Sequence, residues 1–374
     1  MPTSSPIEDN LIPTPLLSFI VPSRNGGTYL ESTILNLLDT PDKRFEVILN
    51  LNNGPEVPQP SIDISDSRLK VYNSSKRLTM SENWWQGLRN SKGRWICYVG
   101  SDDGVVSGNM TKMLDILENA QDVDVVTTHN VAFHYAETNK SAWINQPKGS
   151  VTEKHTLVRW PIKLGSLFPQ FAYDLPQPYN KAIVRKKIFN SILHKETEIP
   201  GLAPDVFLGN FVAMLSIKGL FTDTLFAIRG NSNISNGSQI NRADKMSQTT
   251  LENISDFSQK ESPLLAEFGL TCRPAIALDH YLVCKKYVTG KTTTNLFLAR
   301  IWCNISCSDK SHHHPVWKWF MFLTRLLNLI GLMARKVWFL RNFGRLKVPR
   351  DVKVYVSADE TIFSVSKHFH STSR

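Results

Sequence analysis

The run Ser101-Asp102-Asp103-Gly104 places two carboxylates side by side in a short polar loop. Adjacent carboxylates of this kind can hold a hard divalent cation whose remaining ligands are phosphate oxygens, which neutralises charge growing on a phosphate leaving group. The same four residues also fit a polar turn that caps the next helix, and taken alone the loop does not choose between the two. A third carboxylate, Asp205 in Pro204-Asp205-Val206, opens a helix expected over Phe207–Ile217. There it can accept a proton from a substrate hydroxyl, or serve only as a first-turn acid favoured by the helix dipole. Arg77 offers a fork of donors that suits a phosphate, and is equally readable as a solvated surface arginine. Ser23 and Asn25 can hold a nucleotide through side-chain and backbone contacts, or simply form the turn they occupy.

These residues need elements to position them. Leu16–Val21 is an apolar run ended by Pro22, the pattern of a buried strand. Ser23-Arg24-Asn25-Gly26-Gly27 is turn chemistry, and Tyr29, Ile34, Leu37 and Leu38 recur at helical spacing over 28–38. A second strand over Phe45–Leu51 ends in Asn52-Asn53-Gly54, a third covers Leu69–Tyr72, and a helix capped by Ser81 follows over 80–90. Core packing is the better reading for one of Trp84 and Trp85. The strand Trp95–Val99 runs straight into Gly100–Gly104, and a helix over 109–119 and a strand over 123–128 complete the series. Strands alternating with helices predict a mostly parallel α/β sheet covered on both faces. Ligands bind such sheets outside the carboxyl ends of the strands. The polar clusters at 22–27, 52–54 and 101–104 all fall there, so three separate stretches of chain converge on one edge.

At this point the residues resemble the family 2 glycosyltransferases, in one bacterial branch. Val21-Pro22-Ser23-Arg24-Asn25 resembles the family's opening strand and loop, and Asn52-Asn53-Gly54 stands where an Asp-containing turn is usual. Arg77–Trp84 resembles the segment before the metal-site strand, while Lys92–Ile96 followed by Gly100–Gly104 resembles that strand and its loop. Ala203–Phe207 and Ser235-Asn236-Gly237 match downstream signatures, so the resemblance runs in consistent order over roughly 16–240. It implies a GT-A-like (Rossmann-like) fold, a nucleoside-diphosphate sugar donor, Mn²⁺ or Mg²⁺, and a glycan or lipid-linked hydroxyl acceptor.

Residue by residue, the resemblance implies Asp103 as the metal ligand, with Asp102 near the ribose or aiding coordination. Asp205 becomes the general base of an inverting transfer. Pro22, Ser23, Asn25, Asn52, Asn53 and Arg77 fall at the nucleotide. Two departures stand out: Ser101 replaces an acid common in the branch, and Asn52 replaces an acid that often reads the uracil ring. An amide can still hydrogen-bond a base edge. Those departures keep alive an inactive nucleotide-sugar-binding protein on the same fold. A nucleotidyltransferase is a further rival, but it calls for a Gly-rich, Lys/Arg-containing loop after the first strand, which Ser23–Gly27 only half resembles.

The whole chain has 374 residues, enough for one large α/β domain with an appendage. Its formal net charge of +10 suits an anionic partner such as a nucleotide diphosphate or an anionic membrane surface. Nucleic acid is not expected, because the basic residues are scattered and no recognised module appears. Five cysteines are too few for a disulfide scaffold, and Cys303-x₃-Cys307 before His312, His313 and His314 lacks the second pair a zinc site wants. The expected organisation is a flexible lead-in over 1–15, the catalytic domain over 16–240, a helical extension over 241–315 and a basic amphipathic segment over 316–374. Ile276–Val283 and Thr292–Trp302 read as helices of the extension, with His280 structural. His129, His134 and Tyr135 follow a sheet strand and could face the sugar, with core or surface roles the better reading. Lys318, Arg325 and Lys336 fall on nearly one helical face beside Trp317, Trp319 and Phe320, the profile of a helix lying in a membrane interface or docked on the protein's own core. With no secretory signal in MPTSSPIEDNLIPTP, the expectation is a cytoplasmic enzyme, peripheral on the cytosolic face of the membrane.

Overall fold

The computed structural model describes residues 14–24, 27–53, 65–136, 142–147, 155–159, 175–180, 182–196, 199, 203–215, 218–233, 273–289, 351–357 and 359–369, with isolated positions between 330 and 337. The expected βα series is present: β1 (Leu17–Ser23), α1 (Gly27–Leu38), β2 (Phe45–Leu51), β3 (Leu69–Asn73), α2 (Met80–Asn90), β4 (Trp95–Tyr98), β5 (Gly104–Val105), α3 (Met110–Asn119) and β6 (Val125–His134). Strands β3, β2, β1 and β4 pair in parallel in that order. β1 and β2 are buried almost end to end, as strands covered on both faces must be.

Beyond β4 the sheet changes character. β7 (Ala142–Pro147), β8 (His155–Arg159), β9 (Ala182–Arg185), β10 (Lys218–Asn231) and β11 (Asp351–Val356) join it chiefly by antiparallel pairing, with β10 alongside β6 the parallel exception. The main path runs β11-β7-β6-β9-β4-β1-β2-β3. The sheet is therefore parallel in its first half and mixed as a whole. The helices α4 (Asn190–Lys195), α5 (Pro204–Leu215), α6 (Arg273–Thr289) and α7 (Ile362–His368) complete the described elements.

Two cores flank the sheet. On one side Leu30, Ile34 and Leu37 of α1 and Met113, Leu114 and Leu117 of α3 pack against Phe19, Val47 and Cys97. On the other, Trp84, Trp85 and Leu88 of α2 and Phe207, Leu208 and Phe211 of α5 pack against Ile20, Ile48, Ile96 and Val184. Both tryptophans are thus core residues. The cap of α2 is Thr79 rather than Ser81: its hydroxyl accepts from Glu82 N while the Glu82 carboxylate accepts from Thr79 N. Such a reciprocal pair satisfies two orphan amides, which a serine inside the first turn cannot do.

The C-terminal stretch corrects the expected organisation. Residues 351–356 pair with β7, and α7 packs on α1 through a third core in which Ile362 and Val365 meet Phe133, Ile144 and Ile228. This part of the 316–374 segment belongs to the catalytic sheet, because alternating valines in Asp351-Val352-Lys353-Val354-Tyr355-Val356 form a half-buried strand. Helix α6 covers the expected 276–283 helix. The segments 292–302 and 316–329, with the Cys303–His314 stretch, lie outside the described residues, as does most of 1–15. No helix among the described residues is long and apolar enough to cross a membrane.

Candidate functional site

The loop after β4 is held from every side, and its ties decide what each carboxylate can do. From α1, the Thr33 hydroxyl sits between the Ser101 and Asp103 carbonyls at 2.9 and 2.8 Å. Asn36 brackets Val105, donating to its carbonyl at 3.0 Å and accepting from its amide at 2.7 Å. From β6, the Tyr135 hydroxyl donates to the Asp102 carbonyl at 3.3 Å. From β10, Gly230 approaches so closely that a Cβ there would overlap the Asp102 carbonyl oxygen. Only glycine permits this contact.

Asp103 is fully buried, and both of its oxygens are engaged. Oδ1 accepts from Gly230 N at 2.7 Å and Oδ2 from Gly100 N at 3.0 Å, and the Tyr179 hydroxyl stands beside the carboxylate. Burial raises its pKa, and these donors oppose the rise. Asp102 is less tied: its Oδ2 accepts from the Ser232 hydroxyl at 2.6 Å. Burial, and then the neighbouring Asp103 charge, push its carboxyl up to about 7. Two adjoining buried carboxylates, both held above their ordinary range, concentrate negative charge that a hard cation would neutralise. Among the described residues no group of three or more His, Cys, Asp or Glu is arranged around one point. The donor set that fits is therefore one or two carboxylates with phosphate oxygens completing the shell.

Asp205 lies half-buried in the first turn of α5, with Pro204 at the helix start. The charges of Asp103, Asp102 and Asp205 all reach the Tyr179 hydroxyl, whose pKa is raised first by its own burial. The phenol therefore stays protonated and can donate. Tyr179 marks where the β4 loop and the start of α5 come together. The segment carrying it is pinned across β4, with Tyr98 N donating to the Pro178 carbonyl at 2.6 Å and Asn180 N to the Tyr98 carbonyl at 3.2 Å. Asn180 takes a left-handed backbone at φ 54°.

At the ends of β1 and β2 the structure divides the expected nucleotide residues. Ser23 is buried and its hydroxyl has no hydrogen-bond partner, while Pro22 is half-buried. A buried hydroxyl left so is a donor poised for a ligand. Asn52 is committed elsewhere: its Nδ2 donates to the Leu78 carbonyl at 2.7 Å and its Oδ1 accepts from Leu78 N at 2.6 Å. Asn53, at φ 48°, forms the turn and is exposed. Arg77 is exposed immediately before the clamped Leu78, and Asn25 lies outside the described residues. Ser235-Asn236-Gly237 does too.

The structure sets Asp102 and Asp103 side by side in one buried loop, with Ser23 at the end of the neighbouring strand β1 and Asp205 at the start of α5. Sequence reasoning missed Thr33, Asn36, Tyr179, Asn180, Gly230 and Ser232, and left Tyr135 as a core or surface residue. Their partners are distant along the chain, and only the polar Pro178-Tyr179-Asn180 turn and the Gly230-Asn231-Ser232 run carry a local signal.

Residues 18–172 match the family model described as glycosyl transferase family 2. A protein of Haemophilus influenzae described as an uncharacterized glycosyltransferase is 28% identical over 138 residues, covering 36% of this chain and 54% of that one. Glycosyltransferase GlyG of Streptococcus pneumoniae is 24% identical over 182 residues, covering 47% and 59%. The chain thus spans a little over half the length of these two relatives. Among solved structures, Staphylococcus aureus TarS 1–349 in complex with UDP-GlcNAc aligns at 12% identity and a TM-score of 0.44, over 77% of this chain and 79% of that one.

Proposed function

We propose that this chain, whose residues 18–172 match the family model of glycosyl transferase family 2, moves a sugar from a nucleoside-diphosphate donor to a hydroxyl of a glycan or lipid-linked acceptor with inversion, aided by Mn²⁺ or Mg²⁺. The observation that carries this reading is the buried Asp102–Asp103 pair at the carboxyl end of β4, beside the orphaned Ser23 hydroxyl at the end of β1.

The two carboxylates of the loop divide the work differently from the sequence expectation. Asp102 faces the cation, because the donors to its carboxylate come only from Ser232 and its own backbone. Asp103 is the brace beneath it, because the Gly100 amide of the loop and the Gly230 amide of β10 already occupy its two oxygens. When bound, the cation supplies countercharge to the departing diphosphate. The Ser23 hydroxyl, orphaned at the end of β1, donates to the nucleotide. Arg77 reaches phosphate from the exposed rim. Asn52 shapes the base pocket by fixing Leu78 rather than by reading the base. Asp205 accepts the acceptor proton as the new glycosidic bond forms, from the helix start that faces the loop.

Placement in glycan biosynthesis at the cytosolic membrane surface accords with the net charge of +10. The test is hydrolysis and transfer from UDP-, GDP- and dTDP-sugars with Mn²⁺ or Mg²⁺, in the wild type and in Asp102→Ala and Asp205→Asn. The expected result is metal-stimulated turnover of one donor. Asp205→Asn should lower transfer by about 10²–10⁴-fold while sparing donor binding, and Asp102→Ala should abolish the response to metal. Donor binding by the wild type with no turnover under any metal would sink the enzymatic reading and leave a binding protein.

A further inference from the structure

Strands β10, β6, β7 and β11 send alternate side chains to opposite faces. Ile228, Phe133 and Ile144 turn to the side where α7 and α1 pack. The residues between them turn to the other side, where α2 and α5 cover the sheet nearer its centre. On that side the register sets four residues abreast: Asn231 stands opposite His134, His134 opposite Trp143, and Trp143 opposite Tyr355.

The middle of this row is built rather than merely adjacent. The His134 and Trp143 rings stack with centroids 4.4 Å apart and planes 13° apart. The imidazole is fixed at both nitrogens, with the Asn231 amide 2.9 Å from Nδ1 and the Asn145 amide 3.4 Å from Nε2. His134, Trp143, Asn145 and Asn231 are half-exposed, and Tyr355 is 65% exposed at the outer end. Three strand spacings make the row about 14 Å long, a span for several linked sugars rather than one. Its inner end adjoins Ser232, the residue whose hydroxyl holds Asp102.

We propose that the Asn231–His134–Trp143–Tyr355 row is the platform on which an oligosaccharide acceptor lies, leading its terminal hydroxyl toward the Asp102 loop. This rests on the glycosyl-transfer reading and deepens it by naming the acceptor class and its track. Aromatic rings offer apolar surface to the C–H faces of sugars, and the side-chain amides offer donors and acceptors to their hydroxyls. On the same face Arg229 stands two residues before Asn231, and Lys353 stands opposite Asn145. Cross-strand ring pairs also stabilise sheets on their own. The outermost residue separates the two roles, because a tyrosine this exposed adds little burial.

The test uses the full chain, labelled and applied to an array of bacterial surface oligosaccharides, followed by affinity measurement on the strongest binder. Trp143→Ala and Tyr355→Ala are compared with wild type, and UDP, GDP and dTDP affinities with Mn²⁺ are measured in parallel. The expected result is glycan binding weakened about tenfold by Trp143→Ala and about threefold by Tyr355→Ala, with nucleotide affinity within about twofold of wild type. If Trp143→Ala fails to fold, Tyr355→Ala decides the matter. Wild-type affinity for the glycan in the folded variants overturns the platform, and so does a wild type that binds a nucleotide but no glycan on the array. A wild type that binds glycan through the row and no nucleotide supports the platform and sinks the donor reading instead.

Discussion

The parallel strands β3, β2, β1 and β4 and the antiparallel strands beyond β4 belong to one sheet, yet they serve the Asp102–Asp103 loop differently. The parallel half delivers chain ends: Ser23, Asn52 and Gly100 all stand where a strand runs out, so one edge collects polar groups from neighbouring βα turns. The other half delivers braces. Tyr135, Gly230 and Ser232 come from or beside strands β6 and β10 and grip the loop from its flank. A nucleotide edge can be made by a repeated local unit, whereas two buried carboxylates require donors brought in from elsewhere.

The joint between the halves is where this contrast breaks most readily. Gly230→Ala would drive a methyl group into the Asp102 carbonyl. It should cost about 3 kcal/mol or more in denaturant unfolding and remove the metal response of transfer. An unchanged midpoint and unchanged activity would mean that β10 does not hold the loop.

Asn52→Ala probes the parallel half. It leaves the buried Leu78 amide and carbonyl without their partners, a loss of about 1–3 kcal/mol. Its preference among UDP, GDP and dTDP should match the wild type's. A switch in nucleotide preference at undiminished stability would show that the amide reads the base after all.

Asp102→Asn sharpens the contrast through pH. A carboxyl held at about 7 in the fold, against an ordinary 3.8, binds its proton more tightly folded than unfolded. The metal-free protein therefore gains stability from this group as pH falls from above 7 toward 4, and loses it as pH rises. Asp102→Asn should melt higher than wild type at pH 8 without metal, on the order of 2–4 °C, and the gap should close near pH 5. A gap independent of pH would place the charge elsewhere. The smallest effect is expected for Ser366→Ala, about 0.5–1.5 kcal/mol, because it removes the hydroxyl that Ser107 N and Ser107 Oγ meet at 3.0 and 3.1 Å. Calorimetry that finds no change would mean that α7 is held by its apolar contacts alone.

The same contrast explains what was legible in the sequence. The first half could be read because each strand, polar turn and helix is contiguous, and hydrophobic period carries the signal. Asp102, Asp103 and Asp205 stand out in the sequence because each sits in a local motif. How tightly each is held does not, since a loosely held acid and one clamped by backbone amides look alike until the amides are placed. Asn52 shows the same limit: its clamp on Leu78 spans 26 residues. Strand β11 carries a clear alternation but was overlooked beside the stronger basic, aromatic run before it. The cap of α2, Thr79, lies two residues before Ser81, because a cap is decided by backbone geometry that residue type only suggests.

The ties between the two ends of the chain bear on how the protein comes into being. Phe363 N donates to the Ser32 hydroxyl, 331 residues away, and Ser107 N to Ser366, 259 residues away. Synthesis runs from the N-terminus, and early elements collapse first. The parallel strands can therefore assemble on the ribosome while the loop they present still lacks its rear support. Only when residues near 366 have emerged from the exit tunnel can α7 settle behind α1 and set the carboxylates. The nascent chain thus has its polar strand-end edge before the loop is braced, and contacts this distant in sequence make the closing step the slow one.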